Sequence, residues 1–447
     1  MSKLKCAANL CSRLVSDGDG SAKVAHTSAA PYAAYLPPRP RFALNALGWL
    51  AALAVLAALP FVFSGPLGVA VLTQICIAIT FAVAYNLLLG GTGLLSFGHA
   101  LYFGVGAYAT AHVLNHYGAS VPLVLAPLVG GAVSLVAGAV FALFTVRSGK
   151  VIYAMISLAV GQLAFSAATV MTDWSGGDEG IRLNPTAANG WGIDFGSPLA
   201  IYLLVAAWGW LATLAMFALM RTPLGRLMQA TRDNPERLEF VGFSPVVIRG
   251  YALTLSAGFA GVAGALYALG FQVVTMDTLS LQQSTAGLLQ AYIGGYTSFF
   301  GPVVGATLVT LVSINLSSLT EAWPLYLGAF FVVVIMFMRH GLIELPTVFL
   351  RHSAGLNAKI GASALIGRYA ANLLSGAMCV AGFVTIVEMI RSLSANMGAP
   401  VSVFKANGHD FVLDPHNAAH WVVAIGVALG GLAWLHLMRR RACRDPF

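Results

Sequence analysis

Charge is scarce in this chain. Only 9% of its 447 residues are Asp, Glu, Lys or Arg, against about 25% in ordinary soluble domains, too few to cover a water-soluble surface. Cysteine is scarce as well. Cys6, Cys11, Cys76, Cys379 and Cys443 are scattered over two tails and two apolar runs without a CxxC pair, so neither a disulfide nor a metal site is assigned. No GxxxxGK[ST] occurs; the nearest stretch, RSGKV at 147–151, lacks the leading glycine and the Ser/Thr, so ATP hydrolysis of the P-loop kind is not expected within the chain. GxSxG, HExxH and a cleft-like carboxylate pair are also missing, which disfavours a membrane enzyme. No catalytic residue, metal or cofactor is expected. Acids inside the apolar runs are nearly absent, with Glu321 at a boundary and Glu388 at an outer end. A proton- or sodium-coupled carrier would normally need more of them, so the energy for any transport comes from elsewhere.

Apolar length is abundant. Hydrophobic residues make up 58% of the chain, with 48 glycines and 19 prolines, and the mean hydropathy is +0.81. A helix crossing lipid needs roughly 20 apolar residues, and Gly and Pro are commoner there than in soluble helices. Runs of this kind occur at about 43–63, 68–90, 100–116, 121–145, 151–171, 199–220 and 251–274. Two short ones follow at about 284–297 and 302–318, then one at about 325–338, and two more near 364–388 and 421–438. The chain reads as an all-α polytopic membrane protein.

The basic residues set its orientation. Lys3, Lys5, Arg13, Lys23, Arg39 and Arg41 precede the first run, Arg147 and Lys150 follow the fourth, and Arg339, Arg351 and Lys359 follow the tenth. Five arginines between residues 221 and 249 follow the sixth run, and RRRACR stands near the C-terminus. With twelve crossings all of these fall on one side, the cytoplasmic side by the positive-inside rule. The net charge of +8 is therefore a topology signal rather than a sign of nucleic-acid binding. The expected divisions are a flexible cytoplasmic tail at 1–42, a core at 43–341 and a C-terminal extension at 342–447. The N-terminal stretch has no apolar centre and does not read as a signal peptide.

One cytoplasmic loop concentrates the charge. TPLGRLMQATRDNPERLEFVGFS reads as an amphipathic helix, a turn at Asp233–Asn234–Pro235, and a second short helix from Pro235 to a C-cap at Gly242. Two such helices suit docking to another protein, or a solvated loop lying on lipid headgroups. Elsewhere LLLGGTGLLSFGHALYFGVGAY (87–108) and AYIGGYTSFFGPVVGATL (291–308) share a glycine pair, a Ser-Phe and a small-residue helix. This is either an internal repeat of the transporter kind or a coincidence in a glycine-rich chain. His112 and His116 stand at i and i+4, a possible ligand pair or ordinary interfacial residues. His409, Asp410, Asp414, His416 and His420 share an outer loop that more often binds no metal. His99 reads as a helix-end residue.

NLLLGGTGLLSFGHALYFGVGAYA (86–109), VIYAMISLAVGQL (151–163), the stretch 221–268 and LLQAYIGGYTSFFGPVVGATLVTLV (288–312) together resemble the membrane permeases of branched-chain amino acid ABC importers, and within them the LivM-type subunit. The resemblance covers about 43–341. It implies a ten-helix core like that of type II importers, to which this chain adds two further C-terminal transmembrane helices. It also implies that the charged loop docks on separate ABC ATPase subunits, through Arg226, Arg232, Asp233, Glu236 and Arg237, with Gly242 closing the turn. A second related permease subunit would complete the pore, and the outer DWSGGDEGI loop would face a periplasmic substrate-binding protein. The location implied is a bacterial inner membrane, multi-pass, with both termini cytoplasmic. The chain departs from the family in Pro235–Glu236–Arg237 after the RDN and in its extension.

The expected cargo is a branched-chain or other hydrophobic amino acid. Urea, short amides or aromatic acids are the alternative within the class, and a stand-alone channel, a secondary carrier or a membrane sensor lie outside it. Polar residues in the runs are candidates to line a pore: Gln74, Thr80, Asn86, Ser96, Ser157, Gln162 and Gln290. A polar side chain in lipid is costly unless it meets protein or a cavity, although many simply bond between helices.

Overall fold

A computed structural model of the protein describes residues 42–63, 65–118, 121–183, 195–318, 320–337, 341–344, 382–391, 401–406, 409–413, 421–423, 426–427 and 430. The chain divides after Leu50. Of the first unit only 42–50 are described, the opening turns of α1 (Phe42–Val62); the packing below concerns the second unit.

Each of the first ten apolar runs holds a helix. They are α1, α2 (Pro66–Thr92), α3 (Ala100–Tyr117), α4 (Ala126–Thr145), α5 (Lys150–Val170) and α6 (Pro198–Arg221). After α7 (Pro223–Asp233) and α8 (Pro235–Phe240) come α9 (Pro245–Phe271), α10 (Leu281–Gly294), α11 (Gly301–Ser317) and α12 (Trp323–Phe337). A proline in the first turn recurs at α2, α4, α6, α7, α8, α9 and α11, where its missing N–H costs nothing and its fixed φ suits the helix. In several cases a small polar cap precedes it. Ser197 Oγ accepts from Ala200 N at 3.3 Å, and Asn234 Oδ1 accepts from Arg237 N at 3.1 Å, each satisfying one orphan donor of the first turn.

Among the described residues, five helices are long and apolar enough to cross a membrane: α2, α4 with its leading turn, α5, α6 and α9. Their outward faces carry large apolar side chains, among them Phe144 (75% exposed) and Val170 (81%), which only lipid or another protein can cover. The protein is a multi-pass helical membrane protein. By contrast α10 has 14 residues and α11 has 17, about 21 and 26 Å at 1.5 Å per residue, short of the roughly 30 Å hydrocarbon layer. They are the pair of short runs seen in the sequence.

Glycine lets the central helices touch backbone to backbone. A Cβ at Gly106 would lie 2.4 Å from Gly261 O, and one at Gly264 would lie 1.9 Å from Phe103 O. Helices α3, α4 and α9 therefore pack closer than any side chain permits, the small-residue contact that drives association where lipid offers no hydrophobic gain. The second glycine-rich segment repeats the device, since a Cβ at Gly294 would stand 1.9 Å from Gly301 O.

Among the described residues, two small ribbons interrupt the helices. β1 (Ile181–Arg182) pairs antiparallel with β2 (Val273–Val274), Ile181 opposite Val274, tying the loop after α5 to the end of α9. β3 (Val401–Ala406) pairs with β4 (His409–Leu413), Val401 opposite Leu413, within the stretch expected as an outer loop.

Of the extension, the described helix is α13, residues 382–391; most of the apolar runs expected near 364–388 and 421–438 lies outside the described residues. Glu388 fastens α13 to the core. Its Oε1 accepts from Thr320 Oγ1 at 2.6 Å and Tyr326 OH at 3.0 Å, and its Oε2 accepts from Arg391 Nε at 2.9 Å. Arg391 also stands 3.7 Å from Glu321. Hydrogen bonds to a charged group contribute about 1.5–3 kcal/mol, and Glu388 is 6% exposed. Glu388→Ala is expected to free α13 from α12. Limited proteolysis read by mass spectrometry would show faster cleavage near α13 with α2–α12 intact; an unchanged pattern would mean that the junction carries no weight.

Candidate functional site

The charged loop is built as two capped helices. Thr222 Oγ1 accepts from Gly225 N at 3.4 Å to start α7, and Asn234 separates α7 from α8. One face is apolar and inward, with Met228, Thr231 and Leu238 buried. The other leaves Arg226, Asp233, Glu236, Arg237 and Glu239 exposed. Gly242, at φ +91° just past α8, takes the left-handed conformation that a β-carbon disfavours.

Arg232 has a different position from its neighbours. Its Nη1 donates to Gly90 O at 2.7 Å, in the last turn of α2, while its Nε lies 3.1 Å from Asp233 Oδ1. Lys150, at the start of α5, donates to Arg232 O at 3.4 Å. Two cations thus meet carbonyls at the C-terminal ends of α2 and α7, where the helix dipole and unpaired carbonyls favour positive charge. Arg232 is turned toward the bundle and ties α7 to it. Arg226, Asp233, Glu236 and Arg237 remain open to a partner.

Three apolar side chains stand among these charges: Phe240 (90% exposed), Val241 and Phe243. They form a projecting apolar edge on the loop that sequence reading passed over, although EFVGF is a visible apolar island in a charged stretch.

At the opposite end of α9, 27 residues or about 40 Å away, a cleft of about 640 Å³ opens between α2, α9, α10, α11 and α12. Gln74, Asp277, Gln283, Gln290 and Thr310 give it polar walls, and Phe81, Tyr267 and Trp323 give it apolar ones. Gln290 is buried and its Oε1 has no hydrogen-bond partner among the described residues. The cleft brings together Gln74 and Gln290 of the seven residues considered for a pore. Asn86 lines a smaller cavity at the charged end, donating to Ser298 O at 3.4 Å. Thr80 donates to Cys76 O at 2.9 Å, and Ser157 donates to Ala154 O while accepting from Phe97 N at 3.0 Å. Ser96 is buried, its carbonyl accepting from Tyr85 OH. Gln162 is exposed on α5. Asp277 and Thr310 were not expected; neither carries a sequence signal apart from its place beside a short helix.

The two glycine-rich turns meet at the charged end. Each follows a helix that stops at a glycine with positive φ, Gly93 after α2 and Gly295 after α10. A Cβ at Gly90 would lie 2.5 Å from Tyr296 O.

The loop after α5 caps the far end of α3. His112 Nε2 lies 3.0 Å from Trp174 O, its ring stacks on Trp174 at 5.3 Å, and Asn115 donates to Arg182 O at 3.1 Å. His112 is thereby engaged with Trp174, and among the described residues no group of three or more His, Cys, Asp or Glu is arranged to hold a metal. Of the outer-loop set, Asp414, His416 and His420 lie outside the described residues. His99 stands at the N-cap of α3.

Comparison with known proteins adds to this geometry. The family described as "Branched-chain amino acid transport system / permease component" matches residues 67–339, from α2 to the end of α12. The chain is similar to the high-affinity branched-chain amino acid transport system permease protein LivM of Salmonella typhimurium, 29% identical over 333 residues, 68% of this chain and 76% of the relative. It is 30% identical over 336 residues to the protein of that name in Escherichia coli K12, 68% of this chain and 77% of the relative. A probable branched-chain amino acid transport permease protein LivM of Methanocaldococcus jannaschii shares 25% identity over 230 residues, 48% and 66%. No solved structure matches this chain.

Proposed function

We infer the function of this chain from one premise: it belongs to the family of branched-chain amino acid transport permease components. It is the permease subunit of an ATP-driven importer of branched-chain amino acids. ATP is hydrolysed on separate subunits, a related permease completes the pore, and a binding protein delivers the cargo from outside. The membrane is the inner membrane of a bacterium, with the charged helices on the cytoplasmic side.

The observation that carries this reading is the polarity of the bundle within the matched region. One end presents α7 and α8, with exposed Arg226, Glu236, Arg237 and Phe240; the other end opens the cleft lined by Gln74 and Gln290. The ATPase closes on α7 and α8, Phe240 and Phe243 entering an apolar groove while the charges fix orientation. Charge complementarity of this kind sets specificity and register more than affinity. Movement of α7 passes to α2 through Arg232 and Gly90. The cleft receives the amino acid from the binding protein, which docks on the loop carrying Asp173, Asp178 and Glu179. Its walls suit such a cargo, apolar for the side chain and polar for the two charged ends. Cargo selection rests with the binding protein, so the cleft needs only weak contacts.

The test co-expresses the chain with candidate ATPases and a partner permease, then repeats the experiment with Arg226, Glu236 and Arg237 changed together to alanine. The expected result is a loss of ATPase capture of about tenfold or more, with ATP-dependent leucine uptake lost in parallel. Unchanged capture and uptake would remove α7 and α8 from the docking surface.

A further inference from the structure

A second cavity lies at the charged end, apart from the cleft. It holds about 190 Å³ between α2, α6, α7 and the turn at 295–300. That is the liquid volume of about six waters, enough for a small solute and too little for a peptide. Its walls are of two kinds. Phe217 and Phe299 give aromatic faces, their rings 5.2 Å apart. Arg221, Asn86 and Gln229 give polar groups.

Arg221 is exposed, with its guanidinium 4.2 Å over the Phe217 ring and no ion pair among the described residues. A guanidinium held over a ring by its central carbon still has forked N–H donors to offer a planar anion. Asn86 is 7% exposed, yet among the described residues its Oδ1 has no hydrogen-bond partner and the bond it donates to Ser298 O is long. A buried acceptor left unpaired calls for a reason. Gly90 keeps that acceptor uncovered, because a Cβ there would stand 2.6 Å from Asn86 Oδ1. The last torsion of asparagine is a broad rotor, so the amide can turn toward the cavity that Asn86 lines.

We propose that this cavity binds the imported amino acid on the ATPase side of the membrane. Arg221 takes the carboxylate through paired hydrogen bonds, the amide oxygens of Asn86 and Gln229 take the ammonium, and the aliphatic side chain packs on Phe217 and Phe299. The site rests on the amino-acid cargo proposed above. Gln229 belongs to α7, so ligand here bears on the helix the ATPase docks against. By linkage, any change that docking makes in this affinity returns as an equal effect of the ligand on docking.

The test measures saturation binding of radiolabelled L-leucine to the permease–ATPase complex in nanodiscs without binding protein, beside ATP-dependent leucine uptake by the same complex in proteoliposomes supplied with the binding protein. Expected are uptake and a saturable site that Arg221→Gln and Asn86→Leu each weaken at least tenfold and that Gly250→Ala, where a Cβ meets nothing within 4 Å, leaves unchanged. On the unsubstituted complex, which needs no variant to fold, leucinamide and N-acetyl-leucine should compete poorly, since each lacks one charged end. Uptake without saturable binding, or binding indifferent to both cavity substitutions, overturns the site and leaves the cargo reading standing. Binding abolished by anionic lipid in the disc would assign Arg221 to a phosphate headgroup and also overturn it. Absence of leucine uptake overturns the cargo reading and the site together.

Discussion

Gly264→Val should abolish the folded protein. The introduced Cβ would lie 1.9 Å from Phe103 O and 3.0 Å from Ala107 N, backbone atoms that no rotamer change can move. Helix α3 must then back away from α9, opening the contacts at Gly106 and Gly261 in turn. Overpacking a core by side chains costs typically 1–3 kcal/mol; a backbone collision costs more, and in lipid no hydrophobic gain draws the helices back together. Fluorescence-detected size-exclusion of a tagged chain would show loss of the monodisperse peak. Gly250→Ala is the control, since a Cβ there meets nothing within 4 Å and alanine favours the helix by about 1 kcal/mol. A monodisperse Gly264→Val protein would mean that α3 and α9 are not in contact as described.

Arg232→Met should separate docking from transport. The methionine keeps much of the length and apolar stem but loses the bond to Gly90 O at 2.7 Å and the pair with Asp233. With Arg226, Glu236 and Arg237 untouched, ATPase capture should stay near the unsubstituted level. The tie from α7 to α2 is lost, and a charged hydrogen bond of about 1.5–3 kcal/mol corresponds to roughly a ten- to hundredfold change. Leucine uptake per ATP hydrolysed is expected to fall by about that factor, and Arg232→Lys to recover part of it. Equal loss of capture and uptake would instead return Arg232 to the docking surface.

The helices were legible because lipid imposes a length and composition rule on each span, and the charged loop because Thr222, Pro223, Asn234 and Pro235 mark two helix starts. The beginning of α9 was not. Its apolar run was read from Tyr251, but the helix starts at Pro245 and carries Arg249 in its first turns; a cation near a helix end hides that end from a hydropathy count. Polarity marked Gln74 and Gln290 but could not separate them from Thr80 or Ser157, because hydroxyls that bond their own helix look the same in sequence as those that line a cleft. The inward turn of Arg232 was illegible too, since it depends on Gly90, 142 residues earlier. The apolar edge at Phe240 was readable in principle, and was masked by the charges around it.

Helix α5 sets a condition on how the cell makes this protein. Only 28% of its most apolar window is buried within the chain, and the exposed part includes the amide of Gln162. A copy synthesised alone carries that amide into hydrocarbon, where its hydrogen-bonding groups have no water to turn to. Whatever covers α5 thus relieves an energetic penalty in addition to adding contact area. If a partner permease supplies that cover, the chain should accumulate only as fast as the partner is made.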